Sequence, residues 1–501
     1  MVYLSQPALA EAARDMVLGA IPCARSAGSD GGGAYVLFPY DVEKEFATKG
    51  KVPIKAMFNG VPYVGSLLRP AAKRELHKPV EFLVLQIRQE VPYIRFHLLP
   101  SINERSHCRI VRRDWLGQTL IMVTTLAAKH LVTAEAIIDE PLITLDGSNI
   151  AAISSRKMSE STGVTYDFKG ATLTAGLLDI HMHGAAGHDV MEGTSAALRA
   201  VSVFLASHGV TKYLATTVTA SLDLTLRALE GIANYIEREP AGDEARPAGI
   251  HIEGPFVAHA KRGMHPAQFI VPPSIALLDR FWEASRGHIK LMTIAPEVPG
   301  ALETIARATK LGIRSSIGHS NATKAETLKS LESGAITATH TYNAMRALDH
   351  REPGILGVVL DCDKLYADLI CDGVHVAPEM VRLWFRAKGP ERAILITDSL
   401  EAAGMPNGTF KLGETKVYVQ DGRCTTEAGV LAGSVIALDQ AVSKMREFTG
   451  ADLPTAIRLA SRNPARMLGL SDDLKVGAIA NFNVYDADGK RRKTVLGGRI
   501  L

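Results

Sequence analysis

Three side chains that could hold a catalytic metal ion lie far apart in this 501-residue sequence, each at the end of an apolar, strand-like run. Glu253 ends the first of these runs before a Gly-Pro turn, and His319 and His340 end two later ones. One glutamate and two histidines form a ligand set that catalytic zinc uses, with positions left for water and substrate. A hydrogen-bonded turn residue is the ordinary interpretation of Glu253 alone, but a buried carboxylate needs a partner, and the two imidazoles could supply it.

A second group of candidate ligands is the pair His181 and His183, at the end of an earlier apolar run. Alternate residues of a strand share one face, so both imidazoles can point into the same interior. Asp398 ends the last run of this kind. Packing alone does not explain so many histidines and carboxylates at strand ends, and the pattern therefore predicts a polar site where these strands end.

Apolar strands alternate with helical patterns through the middle of the chain, residues 176–474. Eight strands joined by helical crossovers predict an α/β fold, a (β/α)8 TIM barrel, whose active site lies at the carboxyl ends of the strands. An open, doubly wound sheet is the alternative, but no glycine-rich dinucleotide-binding motif follows the first strand. We predict the eight strands at 176–183, 213–219, 249–254, 289–295, 313–319, 335–341, 366–372 and 393–398.

Short strands separated by polar turns are predicted on both sides of the barrel, in residues 118–175 and 475–501. Two β segments that flank a long α/β region can pair with each other, and we expect them to form one small β-sandwich. Residues 1–117 are predicted to form a mainly-β N-terminal extension with an Asn-Gly hairpin signal. Within this extension, residues 34–70 resemble a small bacterial β-barrel family of unassigned function.

Charge and cysteine content restrict the partners and the compartment. The net charge of +3 is too small to argue for nucleic acid or membrane. Residues 49–113 contain 13 Lys or Arg and four Glu, but a basic small domain is usually just a solvated face. Five cysteines without a CxxC pair argue against a disulfide framework and for a reducing compartment. No signal peptide or membrane-spanning run is evident, so we expect a cytoplasmic protein.

Over residues 118–501 the chain resembles the N-acetylglucosamine-6-phosphate deacetylase family of the amidohydrolase superfamily. Many short motifs occur in one order, which makes the resemblance more specific than any single motif. The matching runs are 176–184, 251–256, 318–323, 339–345, 351–354, 372–375, 395–399 and 431–434.

The resemblance implies a metal site with one or two divalent ions in each subunit. Glu253, His319 and His340 would hold the principal ion. His181 and His183 would hold a second ion, as in those family members that have a His-x-His pair. The resemblance favours zinc, with iron, cobalt and manganese as alternatives.

The resemblance also assigns catalytic and substrate-binding roles. Asp398 would move a proton from water to the leaving amine, although a residue that only orients a histidine ligand is the alternative for this position. His265 would contact the substrate near its acetyl group. The phosphate group would be bound by the side chains of Asn343, Arg351 and His375 and by the backbone amide of Ala344.

A homodimer follows from the same resemblance, because family members place the equivalents of Arg351 and His375 in the neighbouring subunit's site. A fork-shaped guanidinium can hold two phosphate oxygens. The alternative for Arg351 is a surface ion pair with Glu352, which would contribute little.

The activity that the resemblance implies is metal-dependent hydrolysis of the acetamide of N-acetylglucosamine 6-phosphate, to glucosamine 6-phosphate and acetate. Two alternatives stay open: an amidohydrolase that acts on another N-acetylated amino sugar phosphate, and a regulator that binds a sugar phosphate without turnover. Cyclic amidases usually bridge two metals with a modified lysine on strand four. Strand four of this chain ends at Glu297 with no lysine in that place.

Overall fold

The structure is a computed structural model, and its chain divides into two compact units, Met1–Ile121 and Met122–Leu501. It describes residues 124–155, 165–413, 415–471 and 474–501 with their side chains, and the backbone of the strands before them. The strands of the first unit are β1 (Ile21–Pro22), β2 (Tyr35–Leu37), β3 (Lys51–Phe58), β4 (Val61–Leu68), β5 (Leu83–Ile87) and β6 (Ile94–Phe96).

The first unit contains an antiparallel sheet whose strands lie in sequence order, β1 to β6. Phe58 of β3 pairs with Val61 of β4, which is the pairing that a two-residue hairpin gives. The Asn-Gly turn between them lies outside the described residues. The N-terminal region is therefore β-rich, as expected from its sequence.

The second unit begins and ends in one eight-stranded sheet. Its strands are β7 (Val123–Val132), β8 (Ile137–Asp139), β9 (Pro141–Asp146), β10 (Asn149–Ser155), β11 (Tyr166–Ala175), β25 (Phe482–Tyr485), β26 (Arg491–Leu496) and β27 (Arg499–Ile500). The two segments that flank the barrel join where β11 pairs with β25 in antiparallel register, with Leu173 opposite Val484. Leu126, Leu131 and Phe482 are buried in the core of this sheet.

Between the two flanks, eight parallel strands lie side by side in sequence order. They are β12 (Leu177–Met182), β15 (Val210–Thr217), β16 (Arg246–Glu253), β17 (Ile289–Ile294), β18 (Arg314–Ile317), β19 (Ala335–Ala338), β20 (Tyr366–Ile370) and β21 (Ala393–Ile396). The last strand returns to the first: the amide of Asp398 donates to the carbonyl of His181 at 2.8 Å. The sequential order of the parallel strands and the contact between the last strand and the first confirm the (β/α)8 TIM barrel. They exclude a doubly wound sheet, in which the strand order reverses.

Helices cover the barrel between these strands. They are α1 (Ser195–Ser207), α2 (Leu222–Glu237), α3 (Ile275–Ala284), α4 (Ala301–Lys310), α5 (Lys324–Ser333), α6 (Gly354–Asp361), α7 (Pro378–Arg392), α8 (Leu438–Thr449), α9 (Leu453–Ala460) and α10 (Arg462–Leu468). Side-chain oxygens of Thr194, Ser221 and Thr323 cap the first turns of α1, α2 and α5. None of the helices in the described residues has the length and apolar character that a membrane crossing requires.

Two local features go beyond the predicted elements. The helical segment after α8 is interrupted at Ser461, where α9 ends, α10 begins and the backbone leaves the helical region. Pro464 has no N–H to donate back to this turn, which explains the break. A three-stranded sheet after the barrel was not expected; its strands are β22 (Gly408–Leu412), β23 (Thr415–Gln420) and β24 (Arg423–Thr426).

Short elements complete the loops at the carboxyl end of the barrel. They are the strands β13 (Gly184–Ala185) and β14 (His188–Asp189) and the 3-10 turns Val190–Glu192, His259–Lys261 and Ala267–Phe269. Several barrel strands end earlier than expected, because His319, His340 and Asp398 have positive φ angles that interrupt the extended backbone. These three residues therefore stand on turns just beyond β18, β19 and β21.

Candidate metal centre

The first ligand cluster lies at the carboxyl ends of three strands on one side of the barrel. Glu253 is the last residue of β16, while His319 and His340 follow β18 and β19. The Glu253 Oε1 atom is 3.2 Å from His319 Nε2 and 3.1 Å from His340 Nε2. All three side chains are buried, and their ligand atoms lie within 4.8 Å of one another.

The second cluster joins the first and the last barrel strands. His181 is on β12, His183 is the first residue after this strand, and Asp398 follows β21. Asp398 Oδ1 is 3.2 Å from His183 Nε2 and 3.6 Å from His181 Nε2. These three residues are also buried and also have ligand atoms within 4.8 Å of one another.

Glu253 connects the two clusters through its two carboxylate oxygens. Oε1 is 3.3 Å from His181 Nε2, and Oε2 is 3.2 Å from His183 Nε2. Six side chains from five strand ends therefore surround one small volume. This geometry suits one ion or two, because each cluster offers two nitrogens and one carboxylate oxygen.

Three of the histidines are held in one tautomer by the surrounding backbone. In each, Nδ1 faces a carbonyl oxygen, which can only accept a hydrogen bond, so Nδ1 carries the proton and Nε2 has the free lone pair. The pairs are His183 with Thr216 at 3.0 Å, His319 with Lys261 at 2.9 Å and His340 with Asn343 at 3.2 Å.

Lone pairs therefore face each other at the centre. The Nε2 atoms of His319 and His340 are 3.0 Å apart, and both point towards the Glu253 carboxylate. Two neutral imidazoles and a carboxylate in this arrangement repel one another unless a cation lies between them. The donor set, its burial and its tautomers thus fit a divalent metal ion.

The buried carboxylates stabilise positive charge in this volume. For His183, burial lowers the pKa, but hydrogen bonds with Asp398 and Glu253 outweigh burial and raise the pKa to about 10, so that without a metal ion a proton on Nε2 takes the place of the cation. For Asp398, burial raises the pKa, but the charge of His181 and the hydrogen bond with His183 lower it to about 2. The pKa of Glu253 is also lowered, against the effect of its burial, by the surrounding histidines. The carboxylates of Glu253 and Asp398 are therefore ionised at neutral pH.

His265 lies beside the first cluster on the loop that follows β16. Its Nε2 atom is 3.4 Å from His319 Nε2 and 3.7 Å from Glu253 Oε2. Burial lowers the pKa of His265 to about 3, so the ring is neutral. Its Nδ1 atom is buried without a hydrogen-bond partner among the described residues. A neutral ring at the edge of the centre can offer one N–H or one lone pair to a bound molecule.

The expected phosphate-binding residues fall into two groups. Asn343 and Ala344 stand in the same turn as His340, and the buried Nδ2 of Asn343 has no hydrogen-bond partner within the described part of the chain. Arg351 is exposed, and its guanidinium makes neither a hydrogen bond nor an ion pair with any described residue. His375 follows β20 and is held by Asp372, with 2.7 Å between His375 Nδ1 and Asp372 Oδ2.

The surface ion pair proposed as the alternative for Arg351 is absent among the described residues. Glu352 instead accepts hydrogen bonds from the backbone amides of Lys324 and Gly354, at 2.7 and 3.1 Å. Arg351 and His375 do not hydrogen-bond to a residue of the two ligand clusters in the described chain.

Sequence reasoning gave no role to three buried or half-buried carboxylates and one histidine next to the ligands. Asp368 is on β20, Asp179 is on β12, and Glu297 follows β17. Burial raises the pKa of Asp368 to about 7 and that of Asp179 to about 6. His251, two residues before Glu253, packs edge-on against His181 and bonds through Nε2 to Thr293 Oγ1 at 2.8 Å. A signal existed only for Asp179 and His251, which precede a ligand by two residues on the same strand face.

Known proteins match this chain over more than half of its length, in the second unit. The model of the amidohydrolase family matches residues 172–501. The N-acetylglucosamine-6-phosphate deacetylase of Lysinibacillus sphaericus is 37% identical over 334 residues, which are 66% of this chain and 86% of that protein. The N-acetylgalactosamine-6-phosphate deacetylase of Escherichia coli O157:H7 is 36% identical over 369 residues, 73% of this chain and 96% of that protein.

A solved structure matches the same fold. It is a variant of N-acetyl-D-glucosamine-6-phosphate deacetylase from Mycobacterium smegmatis in complex with N-acetyl-D-glucosamine-6-phosphate. The TM-score is 0.71 at 30% sequence identity, and the match covers 75% of this chain and 99% of the other.

Proposed function

The chain belongs to the amidohydrolase family, and on this basis we propose that it hydrolyses the acetamide of N-acetylglucosamine 6-phosphate to glucosamine 6-phosphate and acetate. The observation that carries the proposal is the pair of buried ligand clusters that share Glu253 at the carboxyl end of the barrel. The relatives named as amino-sugar-phosphate deacetylases support the choice of substrate class.

Glu253, His319 and His340 would hold the principal divalent ion, and His181 and His183 with Asp398 would face a second. Nitrogen and carboxylate ligands favour zinc over magnesium or calcium, with iron, cobalt and manganese as alternatives. Such a cation would lower the pKa of water and polarise the carbonyl of the amide. The hydrogen bonds from Nδ1 of His183, His319 and His340 to backbone carbonyls keep the Nε2 lone pairs available for it.

Asp398 is proposed as the group that moves the proton. Its low pKa keeps it ionised, so its carboxylate can accept a proton from water as the water oxygen bonds to the acetyl carbon. The same proton then passes from Asp398 to the amide nitrogen as the carbon–nitrogen bond breaks. Acetic acid and the free amine leave, a proton passes between them to give acetate and the ammonium form of the amine at neutral pH, and Asp398 returns to its ionised form.

His265 is proposed to bind the substrate near the acetyl group. Its ring is neutral and lies at the edge of the first cluster, so it can donate a hydrogen bond to a carbonyl oxygen as negative charge develops there. The unpartnered Nδ1 atom supports a ring whose hydrogen bonds are completed by a bound molecule.

The phosphate group would be bound by Asn343, the backbone amide of Ala344, Arg351 and His375. The unpaired guanidinium of Arg351 and the orientation of His375 by Asp372 support an anion site. We also propose a homodimer in which Arg351 and His375 reach the neighbouring subunit's site, and the exposed guanidinium of Arg351, unpaired among the described residues, is available for such a contact.

The related hexosamine N-acetylgalactosamine 6-phosphate is the second candidate substrate. It is favoured by one specific finding: the relative named for this sugar is 36% identical and is matched over 96% of its length. The two sugars differ at one hydroxyl group, so both can offer the same acetamide and phosphate to the residues described above.

We place the enzyme in the cytoplasm. Within the described residues Cys362, Cys371 and Cys424 are all free thiols. Free cysteines, two of them buried, suit a reducing compartment.

Metal analysis together with acetate release tests the proposed function. The purified chain should contain one or two divalent ions per subunit and release acetate from N-acetylglucosamine 6-phosphate. N-acetylgalactosamine 6-phosphate and unphosphorylated N-acetylglucosamine should be compared in the same assay. Bound sugar phosphate without acetate release would contradict the deacetylase and support a sensor, whereas faster turnover of the galactosamine compound would replace the substrate.

A further inference from the structure

We propose that three carboxylates outside the ligand set, Asp368, Glu297 and Asp179, are positioning residues that hold the metal-binding turns in place. This inference rests on the proposed function, because it concerns the same metal centre. Each carboxylate holds the turn of one ligand. Asp368 holds the turn of His340, Glu297 that of His319, and Asp179 that of Asp398.

The three ligands need such support because of their backbone conformation. The φ angles of His319, His340 and Asp398 are 47°, 31° and 49°. These values lie in the left-handed region, which is sterically unfavourable for a residue with a Cβ atom. A turn of this kind persists only where its surroundings hold it, and relaxation of the backbone would turn the ligand atom away from the centre.

Asp368 holds the turn of His340. Its Oδ1 atom accepts a hydrogen bond from the backbone amide of His340. The backbone carbonyl of Asp368 accepts two more, from the amide and the hydroxyl of Thr341, both at 2.8 Å. The Asp368 side chain is fully buried. One residue of β20 therefore fixes two successive amides in the turn that carries a ligand.

Glu297 holds the turn of His319 in the same way. Its Oε1 atom accepts from the backbone amide of Asn321 at 2.5 Å, and Oε2 accepts from Ser320 Oγ at 2.7 Å. The Ser320 amide in turn donates to the carbonyl of Ala344 at 3.0 Å. The two histidine turns are thus tied to each other as well as to their carboxylates.

Asp179 holds the segment that carries Asp398. Its Oδ2 atom accepts from Thr397 Oγ1 at 2.6 Å, and Oδ1 lies 3.4 Å from the Thr397 amide. Oδ1 also accepts from the amide of His181 at 3.3 Å. Asp179 therefore connects the two strands that supply the second ligand cluster.

The three cases share one arrangement. Each carboxylate lies on, or just after, the strand next to that of its ligand: β20 beside β19, β17 beside β18, and β12 beside β21. A carboxylate accepts several hydrogen bonds with its two oxygens, so it can fix more than one donor of a turn. Residues that support metal ligands in this way usually change metal affinity by about 10- to 100-fold when they are removed.

The experiment compares Asp368→Leu with Asp368→Asn. Leucine removes the acceptor for the His340 amide, whereas asparagine keeps a carbonyl oxygen there. Each purified protein would be measured for metal content, for the rate of metal loss to a chelator, for thermal midpoint, and for KM and kcat. We expect Asp368→Leu to lose metal about 10- to 100-fold faster than the unchanged protein. In this variant kcat should fall by a larger factor than KM changes. Asp368→Asn should keep most of the metal retention of the unchanged protein.

Two further variants separate positioning from folding. Glu297→Ala and Glu297→Gln repeat the comparison at a half-buried position on a loop, where a failure to fold is not expected. Glu244→Gln is the matched control, because Glu244 is a buried carboxylate remote from the ligand turns. It should lower the thermal midpoint and leave the rate of metal loss unchanged.

The outcomes distinguish this inference from the proposed function. The inference is overturned if Asp368→Leu and Glu297→Ala lose stability but keep the unchanged rate of metal loss, or if asparagine and leucine behave alike. A chain that binds metal but releases no acetate contradicts the deacetylase and leaves the metal-loss comparison valid. A chain that binds no divalent metal overturns both.

Discussion

Strand β16 has a buried glutamate close to each of its ends, and the two differ in how their charge is satisfied. Glu244 stands just before the strand, and Glu253 is its last residue. The Glu244 carboxylate receives hydrogen bonds from fixed donors. They are the guanidinium groups of Arg199 and Arg238, the hydroxyl of Tyr235 and the amide of Ala241.

At the other end, Glu253 faces imidazole nitrogens whose lone pairs point towards it. The cluster of Glu244 is complete in the chain itself, so its interactions contribute to stability. The cluster of Glu253 is complete only with a cation, so its interactions are available for function. Burial alone therefore does not show whether a carboxylate is structural or functional. The distinction depends on whether its neighbours have N–H or O–H groups to donate to it.

The largest expected effect is at Glu253. Glu253→Gln keeps the shape but removes the negative charge that both ligand clusters share. We expect the variant to lose its bound metal and its acetate release, while its thermal midpoint in the presence of chelator stays close to that of the unchanged protein. Metal content and unfolding curves measured with chelator would check this. Full metal content in the variant would contradict the view that Glu253, unlike Glu244, is completed by a cation.

Asp398→Asn should lower turnover by about 10²- to 10⁴-fold, the range that a positioned proton-transfer group contributes. The five other residues of the two clusters stay unchanged, so the variant should retain metal. Steady-state kinetics together with metal analysis would measure this. Loss of metal in parallel with turnover would instead make Asp398 chiefly a ligand, and near-normal turnover would exclude the proton-transfer role.

Arg351→Ala should raise KM for the phosphorylated sugar by about 10- to 100-fold, because a charge-assisted hydrogen bond contributes about 1.5–3 kcal/mol. The matched control is Arg346→Ala, which removes an arginine of the same segment whose Nη1 contacts the backbone carbonyl of Asn321. An equal effect of Arg351→Ala on unphosphorylated N-acetylglucosamine would show that Arg351 does not bind the phosphate.

The smallest effect on activity is expected at Glu244. Glu244→Gln should leave turnover unchanged and lower the free energy of unfolding by about 1–3 kcal/mol, since buried donors lose a charged acceptor. Burial acts to raise the pKa of Glu244, but the Ala241 amide and the arginines outweigh it and lower the pKa below its ordinary 4.5. A carboxyl whose folded-state pKa is lowered stabilises the protein above its unfolded pKa.

The difference in the free energy of unfolding between the unchanged protein and Glu244→Gln should therefore be largest above about pH 4.5. It should shrink as the pH falls through the lowered pKa of the folded state. Urea unfolding of both proteins over this range would measure the difference. A difference that grows on acidification would contradict the assigned direction.

The barrel could be predicted because its signal is repeated. Eight apolar runs alternate with helical patterns, and strands of one parallel sheet bring their carboxyl ends together wherever they lie in the sequence. For the same reason residues as distant as His181 and Asp398 could be expected at one place. The sequence alone therefore predicts the (β/α)8 architecture.

Two of the supporting carboxylates, Asp368 and Glu297, could not be predicted because no local pattern marks them. Asp368 sits inside an apolar strand, and only the structure shows that it accepts from the His340 amide. The left-handed turns at His319 and His340 were likewise missed, because such conformations are set by neighbouring strands rather than by residue type. The small sheet over 408–426 did have a signal in Asp421-Gly422, a hairpin dipeptide.

The measurement that tests the account most directly is an anomalous difference map from crystals of the purified protein, recorded at the absorption edge of the metal found by elemental analysis. We predict a peak about 2.0–2.2 Å from a Glu253 oxygen and from Nε2 of His319 and His340. Crystals in which these three side chains point to a common centre without a peak, or in which they lie apart, would contradict the metal-dependent hydrolysis proposed for this chain.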